Sequence, residues 1–253
     1  MSFKSIFMAI STYSIIPVPQ FEWKRENRKF AICWFPIVGI FSGGVMAIWI
    51  YTAQVLNISR FLYASISVCI PLLVTGGIHM DGFMDTADAL ASHQNTARKL
   101  EILKDPNVGA FAVIYAIIYM FISLGLFYQL GPKPTSYIIC PSYVISRVFS
   151  AYYAISIKNA RTSGMLNAFT ESVDRRKANI ILTLLVIIPS VLIGVYGGLC
   201  GLVSILAAII TGEWYKRFTI RKFGGCTGDT AGFFLQICEL SMLTAITIGG
   251  SLV

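Results

Sequence analysis

The sequence is poor in charge, and most of the charge it has is basic. Asp, Glu, Lys and Arg make up 13% of the 253 residues, against roughly 25% in an ordinary soluble domain. Only 12 residues are acidic, and 56% of the chain is hydrophobic. This composition excludes an ordinary soluble protein. With no low-complexity tract or internal repeat, it predicts a single membrane-embedded domain over residues 1–253.

Cysteine pairs of the C-x-x-C type are absent as well. The six cysteines are scattered, mostly within apolar segments. This distribution indicates small packing residues rather than a disulfide framework or a zinc site.

Long apolar segments predict an all-α, polytopic membrane helix bundle. A helix needs about 18 or more apolar residues to cross roughly 30 Å of hydrocarbon. Such segments predict about seven spans, near residues 30–56, 61–78, 108–130, 136–157, 179–197, 199–216 and 232–252. The segment Ser5–Ile16 is too short to span and is predicted to form an interfacial or re-entrant helix.

Basic residues alternate between the two sides of the predicted bundle. The loops rich in Lys and Arg are 17–29, 92–107, 158–178 and 217–231, whereas the intervening turns are nearly uncharged. The positive-inside rule therefore places these loops in the cytoplasm and predicts a multi-pass protein of the cell membrane. Anionic lipid and cytoplasmic phosphates account for the net charge of +8, so no nucleic-acid partner is predicted.

Three of the few acids, Asp81, Asp85 and Asp88, have the spacing i, i+4, i+7 and share one helix face. Because like charges one turn apart repel, the face is expected to bind a hard divalent cation that carries a phosphate. A solvated polar helix end is the alternative. His79 lies two residues earlier and is a candidate ligand or general base, or else a structural hydrogen-bonding residue.

Two further polar segments lie on the same predicted side. In one, Glu101 and Asp105 are again one turn apart, beside Lys104. In the other, a glycine-rich turn at 224–228 precedes Asp229 and can offer backbone N–H groups to a phosphate, with a metal bridging to the carboxylate. The predicted metal ligands are Asp81, Asp85, Asp88 and Asp229.

Two ionisable residues, Arg147 and Glu239, fall inside predicted spans. A charge there costs about 2.5–3.5 kcal/mol on insertion scales, so both are expected to face the bundle interior. In one interpretation they form a structural ion pair. In the other, Arg147 binds a substrate phosphate and Glu239 helps to orient it or a metal shell.

Three segments carry a family resemblance: TGGIHMDGFMDTADAL at 75–90, KLEILKDPNVGAFAV at 99–113 and GGCTGDTAGFFLQICEL at 224–240. They closely resemble the cobalamin synthase family, the adenosylcobinamide-GDP ribazoletransferases. The resemblance runs in order from end to end of the chain. Its central pattern, G-G-x-H-x-D-G-x-x-D-T-x-D, is long enough to be highly specific.

The resemblance implies a Mg²⁺-dependent phosphotransferase of the inner membrane. Its substrates would be adenosylcobinamide-GDP and α-ribazole or its 5′-phosphate, and its products adenosylcobalamin or its phosphate and GMP. The residues at matching positions are His79, Asp81, Asp85, Asp88, Glu101, Asp105, Arg147, Arg161, Asp229 and Glu239. The four metal-binding aspartates would hold Mg²⁺, with one of them or His79 as general base. Lys104, Arg147 and Arg161 would bind phosphate oxygens. Glu101, Asp105 and Glu239 are further candidate substrate-binding residues, and a homo-oligomer is left open.

Three other classes share part of this pattern. CDP-alcohol phosphotransferases require Ala-Arg after an Asp-Gly pair, where this chain has Phe83-Met84. Aromatic prenyltransferases share the Asp-x-x-x-Asp spacing and differ in substrate. A cation-coupled transporter is disfavoured because the acids group at one face of the bundle rather than near the midplane.

Overall fold

The structure is a computed structural model that describes residues 3–22, 24–28, 30–171 and 173–249. Over these ranges it contains no strand, so the all-α prediction is confirmed. The helices are α1 (Phe3–Tyr13), α2 (Arg25–Arg28), α3 (Pro36–Val55), α4 (Arg60–Thr75), α5 (Ile78–Ala91), α6 (Thr96–Ile102), α7 (Ala110–Leu130), α8 (Ile139–Ser156), α9 (Met165–Thr170), α10 (Arg175–Phe223) and α11 (Gly228–Gly249). Short 3₁₀ helices precede α3 and α8, at Ala31–Trp34 and Pro134–Ile138. Lys29 and the last residues of the predicted span 232–252 lie outside the described ranges.

Several helices are suited to cross a membrane. Within the described ranges, five are long and apolar enough: Ala31–Val55, Ala110–Leu130, Pro134–Ser156, Arg175–Phe223 and Gly228–Gly249. Large apolar side chains such as Ile117 and Phe121 of α7 are exposed, as expected for a surface against lipid. The polytopic bundle is confirmed, whereas the count of about seven spans stays a prediction.

The longest helix, α10, reverses direction at Gly198. This residue has φ 51° and ψ −133°, a left-handed conformation that glycine adopts most readily. A Cβ on Gly201 would overlap the carbonyl oxygen of Ile193, although these residues would lie about 12 Å apart along a straight helix. The two arms of α10 therefore pack against each other, with the break where the sequence separated the predicted spans 179–197 and 199–216.

The chain bends by 97° between α4 and α5. Two consecutive glycines make the bend, Gly76 with φ 64° and Gly77 with φ 78°, values that are strained for other residues. Taken together, α4 and α5 are apolar enough to count as a sixth span, but the bend breaks it. α5 contacts the first turns of α7 and α11, so it lies at one end of the bundle and outside the continuous spans.

The N-terminal helix α1 packs against this same end. It has 11 residues, which at about 1.5 Å each is too short to span. Just after it, the N–H of Ile15 donates to the carbonyl of Val74 at 3.1 Å. The Tyr13 ring packs on Phe35, with ring centroids 4.4 Å apart. The short N-terminal helix thus becomes part of the wall around the polar residues.

Candidate functional site

Helices α5 and α11 come into backbone contact at the site. A Cβ on Gly82 would lie 2.8 Å from the carbonyl oxygen of Asp229, and one on Gly232 would lie 3.0 Å from the carbonyl oxygen of His79. Side chains larger than hydrogen would therefore push the helices apart. The contact places the Asp85 face of α5 beside the first turn of α11.

The carboxylates of these two helices are close enough to interact electrostatically. Burial, and then the charges of Asp81, Asp229 and Asp88, raise the pKa of Asp85 to about 7, whereas Arg161 opposes this shift. The four aspartates predicted from the sequence, three from α5 and one from α11, therefore lie near one another.

The acids do not form a ready-made metal cage. Among the described residues, no three His, Cys, Asp or Glu side chains are close enough to hold a metal ion together. Mg²⁺, however, usually takes one or two protein carboxylates and completes its shell with water and substrate phosphates. One or two of the Asp81, Asp85 and Asp229 carboxylates would therefore suffice to hold a magnesium ion that is bound together with a phosphorylated substrate.

Asp88 has a partner that the sequence did not suggest. Its Oδ1 accepts a hydrogen bond from the N–H of Ala112 at 3.0 Å, and a Cβ on Gly109 would overlap its carboxylate. Ala112 lies in the first turn of α7, where Gly109 is the N-cap residue and supplies no side-chain hydrogen bond. Asp88 thus caps α7 from the neighbouring helix.

Backbone pairing holds Arg161 beside Asp229. Residues 158–160 exchange two backbone hydrogen bonds of 2.9 Å with Cys226. Arg161 Nη1 then lies 3.6 Å from Asp229 Oδ2, and Nη2 donates to the Leu100 carbonyl at 2.7 Å. Arg161 Nε is buried and finds no hydrogen-bond acceptor in the described part of the chain. The guanidinium therefore retains donor capacity for an anion.

The start of α11 is held by a reciprocal cap. The N–H of Thr227 donates to Thr230 Oγ1 at 2.9 Å, and the N–H of Thr230 donates to Thr227 Oγ1 at 3.1 Å. The N–H groups of Gly228 and Asp229, in the first turn, have no carbonyl partner within the helix. They add a positive helix end to the site.

A cavity of about 170 Å³, which we call the apolar cavity, borders Asp81 and Asp229. Its walls include the rings of Tyr13, Phe35 and His79. His79 is 6% exposed, and its Nε2 has no hydrogen-bond partner among the residues described. Burial, and then the charge of Arg147, lowers the pKa of His79 well below its ordinary value, so the imidazole is neutral near pH 7.

A second cavity, of about 130 Å³, adjoins the first along Gly228 and Asp229. We call it the polar cavity because Asn159, Arg161 and Thr227 line it. A ligand that occupied both cavities would pass the Asp229 carboxylate and the start of α11. The site therefore combines an apolar part, a polar part and a charged junction between them.

Three predicted substrate-binding residues lie on the exposed surface and line neither cavity: Glu101, Lys104 and Asp105. Glu101 pairs with Arg98 at 2.7 Å, and Asp105 accepts the N–H of Asn107 at 2.9 Å. This segment instead contacts the site through the Leu100 carbonyl, which accepts the hydrogen bond from Arg161. Substrate contact by the three side chains stays a prediction that this arrangement does not support.

The two intramembrane charges bind each other. Arg147 Nη1 lies 2.6 Å from Glu239 Oε1, and Ser146 Oγ donates to the same oxygen at 3.0 Å. Neither charged residue lines the apolar or the polar cavity. Of the two interpretations of this pair, the arrangement corresponds to the structural one.

Sequence reasoning missed the residues that shape the apolar cavity. Tyr13, Phe35 and Met165 line it, yet they come from distant segments, and each is typical of core or lipid contact when considered alone. Gly82 and Gly232 carried a usable signal, because both lie inside the acidic motifs where a helix interior ordinarily avoids glycine.

The fold and the site define a polytopic helical membrane protein with a carboxylate-rich site at one end of its bundle. The chain belongs to the cobalamin-5-phosphate synthase family, whose sequence model matches residues 5–247. The family predicted from the three motifs is thus confirmed, and with it a function in cobalamin synthesis.

Individual relatives carry a common name. A protein of Lachnoclostridium phytofermentans named adenosylcobinamide-GDP ribazoletransferase is 37% identical over 244 residues, which cover 96% of this chain and 93% of the relative. A protein of Clostridium botulinum with the same name is 36% identical over 94% of both chains. One of Acinetobacter baumannii is 27% identical over 96% of both. No solved structure matches the chain.

Proposed function

We propose that this chain is an adenosylcobinamide-GDP ribazoletransferase. It would be a Mg²⁺-dependent phosphotransferase that joins adenosylcobinamide-GDP to α-ribazole or α-ribazole 5′-phosphate and releases GMP. The observation that carries the proposal is the group of Asp81, Asp229 and Arg161 where the two cavities adjoin. The charge of Asp85 is coupled to all three residues. The family and the name of the relatives agree with it.

Arg161 and the first turn of α11 are the proposed diphosphate-binding elements. A guanidinium with unused donors binds phosphate oxygens in a fixed geometry, and a helix N-terminus favours negative charge. The Asp229 carboxylate would repel the same anion. A bound diphosphate therefore needs a cation between them.

We propose that one or two of the carboxylates of Asp81, Asp85 and Asp229 bind that cation, and that water and the substrate phosphates complete its shell. Bound Mg²⁺ would neutralise charge on the diphosphate and on the departing GMP. Asp88 has one oxygen engaged by α7, which leaves its second oxygen as its available donor. The carboxylates thus differ in how freely they can turn toward the substrate.

The proposed reaction is an in-line displacement at phosphorus. The ribose 3′-hydroxyl of the acceptor attacks the phosphorus atom that bears the cobinamide group. A new P–O bond forms, the bond to the GMP oxygen breaks, and GMP leaves with the electron pair. The hydroxyl proton passes to one aspartate of the site or to His79.

The site is proposed to face the cytoplasm at the cell membrane. The loops 92–107, 158–178 and 217–231 are three of the four basic loops, and α6, Arg161 and the start of α11 belong to them. The positive-inside rule assigns such loops to the cytoplasmic side. Nucleotide substrates are available on that side.

Purified protein in detergent tests the proposal directly. With adenosylcobinamide-GDP, α-ribazole and Mg²⁺, we expect GMP and adenosylcobalamin in equal amounts, and no GMP without the acceptor. Folded wild-type protein that released no GMP would overturn the proposal. Asp229→Asn should lower turnover at least about 100-fold, whereas the exposed control Glu22→Gln should leave it unchanged.

A further inference from the structure

We infer that the apolar cavity binds the flat aromatic base of the acceptor nucleoside, with His79 Nε2 hydrogen-bonded to the free ring nitrogen of that base. The inference rests on the proposed function and assigns one part of the site to one part of one substrate. It gives His79 a binding role, so the hydroxyl proton would pass to one of the aspartates rather than to His79.

The size of the cavity suits a small aromatic ring system. An apolar cavity of roughly 150 Å³ accommodates benzene, and the apolar cavity has about 170 Å³. A corrin macrocycle is several times larger than either. A single base of one or two fused rings is therefore of suitable size, whereas the corrin is excluded.

The walls present aromatic faces and small side chains. The rings of Phe35 and His79 have centroids 5.2 Å apart, and those of Tyr13 and His79 are 6.1 Å apart. Flat rings pack against such faces in offset or edge-on arrangements. Ala151 and Ala154 of α8 also line the cavity, and their short side chains leave room for the base.

One polar atom in these walls lacks a partner. His79 Nε2 is buried and has no hydrogen-bond partner within the described ranges, a condition that costs free energy unless a ligand supplies one. α-Ribazole is a nucleoside whose benzimidazole base has one ring nitrogen bonded to ribose and the other free. That single free nitrogen complements a single donor, whereas guanine has several polar edge groups that mostly apolar walls would leave unpaired.

The position of the cavity also fits the reaction. Asp81 and Asp229 border it, and both belong to the proposed metal site. A base held among the rings therefore leaves its ribose at the carboxylates, where the 3′-hydroxyl must react.

A nucleoside pair tests the hydrogen bond. Binding of α-ribazole and of the matching indole riboside, which has C–H in place of the free nitrogen, is measured with purified protein and no donor substrate. We expect wild-type protein to prefer α-ribazole about tenfold, and His79→Phe, which keeps an aromatic ring, to lose most of that preference. An unchanged preference in His79→Phe would overturn the inference, and a merely structural role for His79 would not alter this ratio.

A cavity-filling variant tests the location. Ala154→Leu should weaken α-ribazole binding about tenfold or more, while the KM for adenosylcobinamide-GDP changes by less than about twofold. The matched control is Gly44→Leu, because a Cβ on Gly44 has no atom within 4 Å. A folded Ala154→Leu protein with wild-type affinity for α-ribazole would contradict the inference.

The two proposals fail in different ways. If wild-type protein binds α-ribazole but forms no GMP with both substrates, the proposed reaction is wrong. If it forms GMP, but His79→Phe keeps the nucleoside preference and Ala154→Leu keeps the affinity for α-ribazole, the reaction stands and the base lies elsewhere. Should Ala154→Leu fail to fold, the nucleoside preference of His79→Phe decides.

Discussion

The carboxylate of Asp88 accepts a hydrogen bond from the backbone N–H of Ala112 at 3.0 Å. The donor is one of the first N–H groups of α7, which lack partners within their own helix, and a negative charge at this end also suits the helix dipole. The aspartates of α5 therefore have different neighbours. Asp88 binds the start of α7, whereas Asp85 interacts electrostatically with Asp229 at the start of α11.

Replacing Asp88 separates its capping role from its charge. Asp88→Ala removes the acceptor and should lower the free energy of unfolding by about 1 kcal/mol, whereas Asp88→Asn keeps an acceptor oxygen and should retain most of the stability. Unfolding of the purified proteins in detergent measures both. Equal losses in the two variants would show that the hydrogen bond to α7 is not what Asp88 contributes.

The close contact of α5 with α11 predicts a strong response at Gly82. A methyl group there would lie 2.8 Å from the backbone of Asp229, so Gly82→Ala should cost about 1–3 kcal/mol of stability through overpacking. It should also lower turnover, because the carboxylates of the two helices move apart. Gly44→Ala is the matched control, since no atom lies within 4 Å of its Cβ; wild-type behaviour of Gly82→Ala would contradict the contact.

The buried ion pair predicts a non-additive double variant. Removing one partner leaves a charge unpaired in the bundle, so Arg147→Met or Glu239→Leu alone should cost about 3–5 kcal/mol. The double variant should recover much of this loss, as unfolding in detergent would show. Its KM for adenosylcobinamide-GDP should stay near wild type, because neither residue lines the apolar or the polar cavity. A stable double variant with a greatly raised KM would instead make Arg147 a substrate-binding residue.

Hydrophobic length and local spacing allowed much of the fold to be predicted. The predicted span 108–130 corresponds to Ala110–Leu130, and the predicted break at 197–198 corresponds to the reversal of α10. The span 61–78 was wrong at its end, since Gly76 and Gly77 stop α4 at Thr75 and turn the chain. Hydropathy does not register such a turn, because glycine in an apolar run does not interrupt the run.

The candidate site was predictable only in part, because local spacing in the sequence does not reveal tertiary contacts. The spacing of Asp81, Asp85 and Asp88 fixes a shared face, but it does not say which neighbouring helix each carboxylate meets. The same spacing in Glu101 and Asp105 reflects local partners on the surface. The apolar cavity depends on tertiary packing of segments far apart in the chain, and no local pattern encodes it.

Removal of magnesium tests the central element of the proposed function. The carboxylates around Asp85 repel one another and would repel a diphosphate, so chelation with EDTA should stop GMP release and added Mg²⁺ should restore it. Asp81→Asn should raise the Mg²⁺ concentration for half-maximal rate about tenfold or more. Asp88→Asn should raise it less, because one oxygen of Asp88 is engaged by α7, and Glu22→Gln should not change it. Full turnover after exhaustive chelation would remove Mg²⁺ from the mechanism and leave Arg161 and the start of α11 as the groups that neutralise the diphosphate.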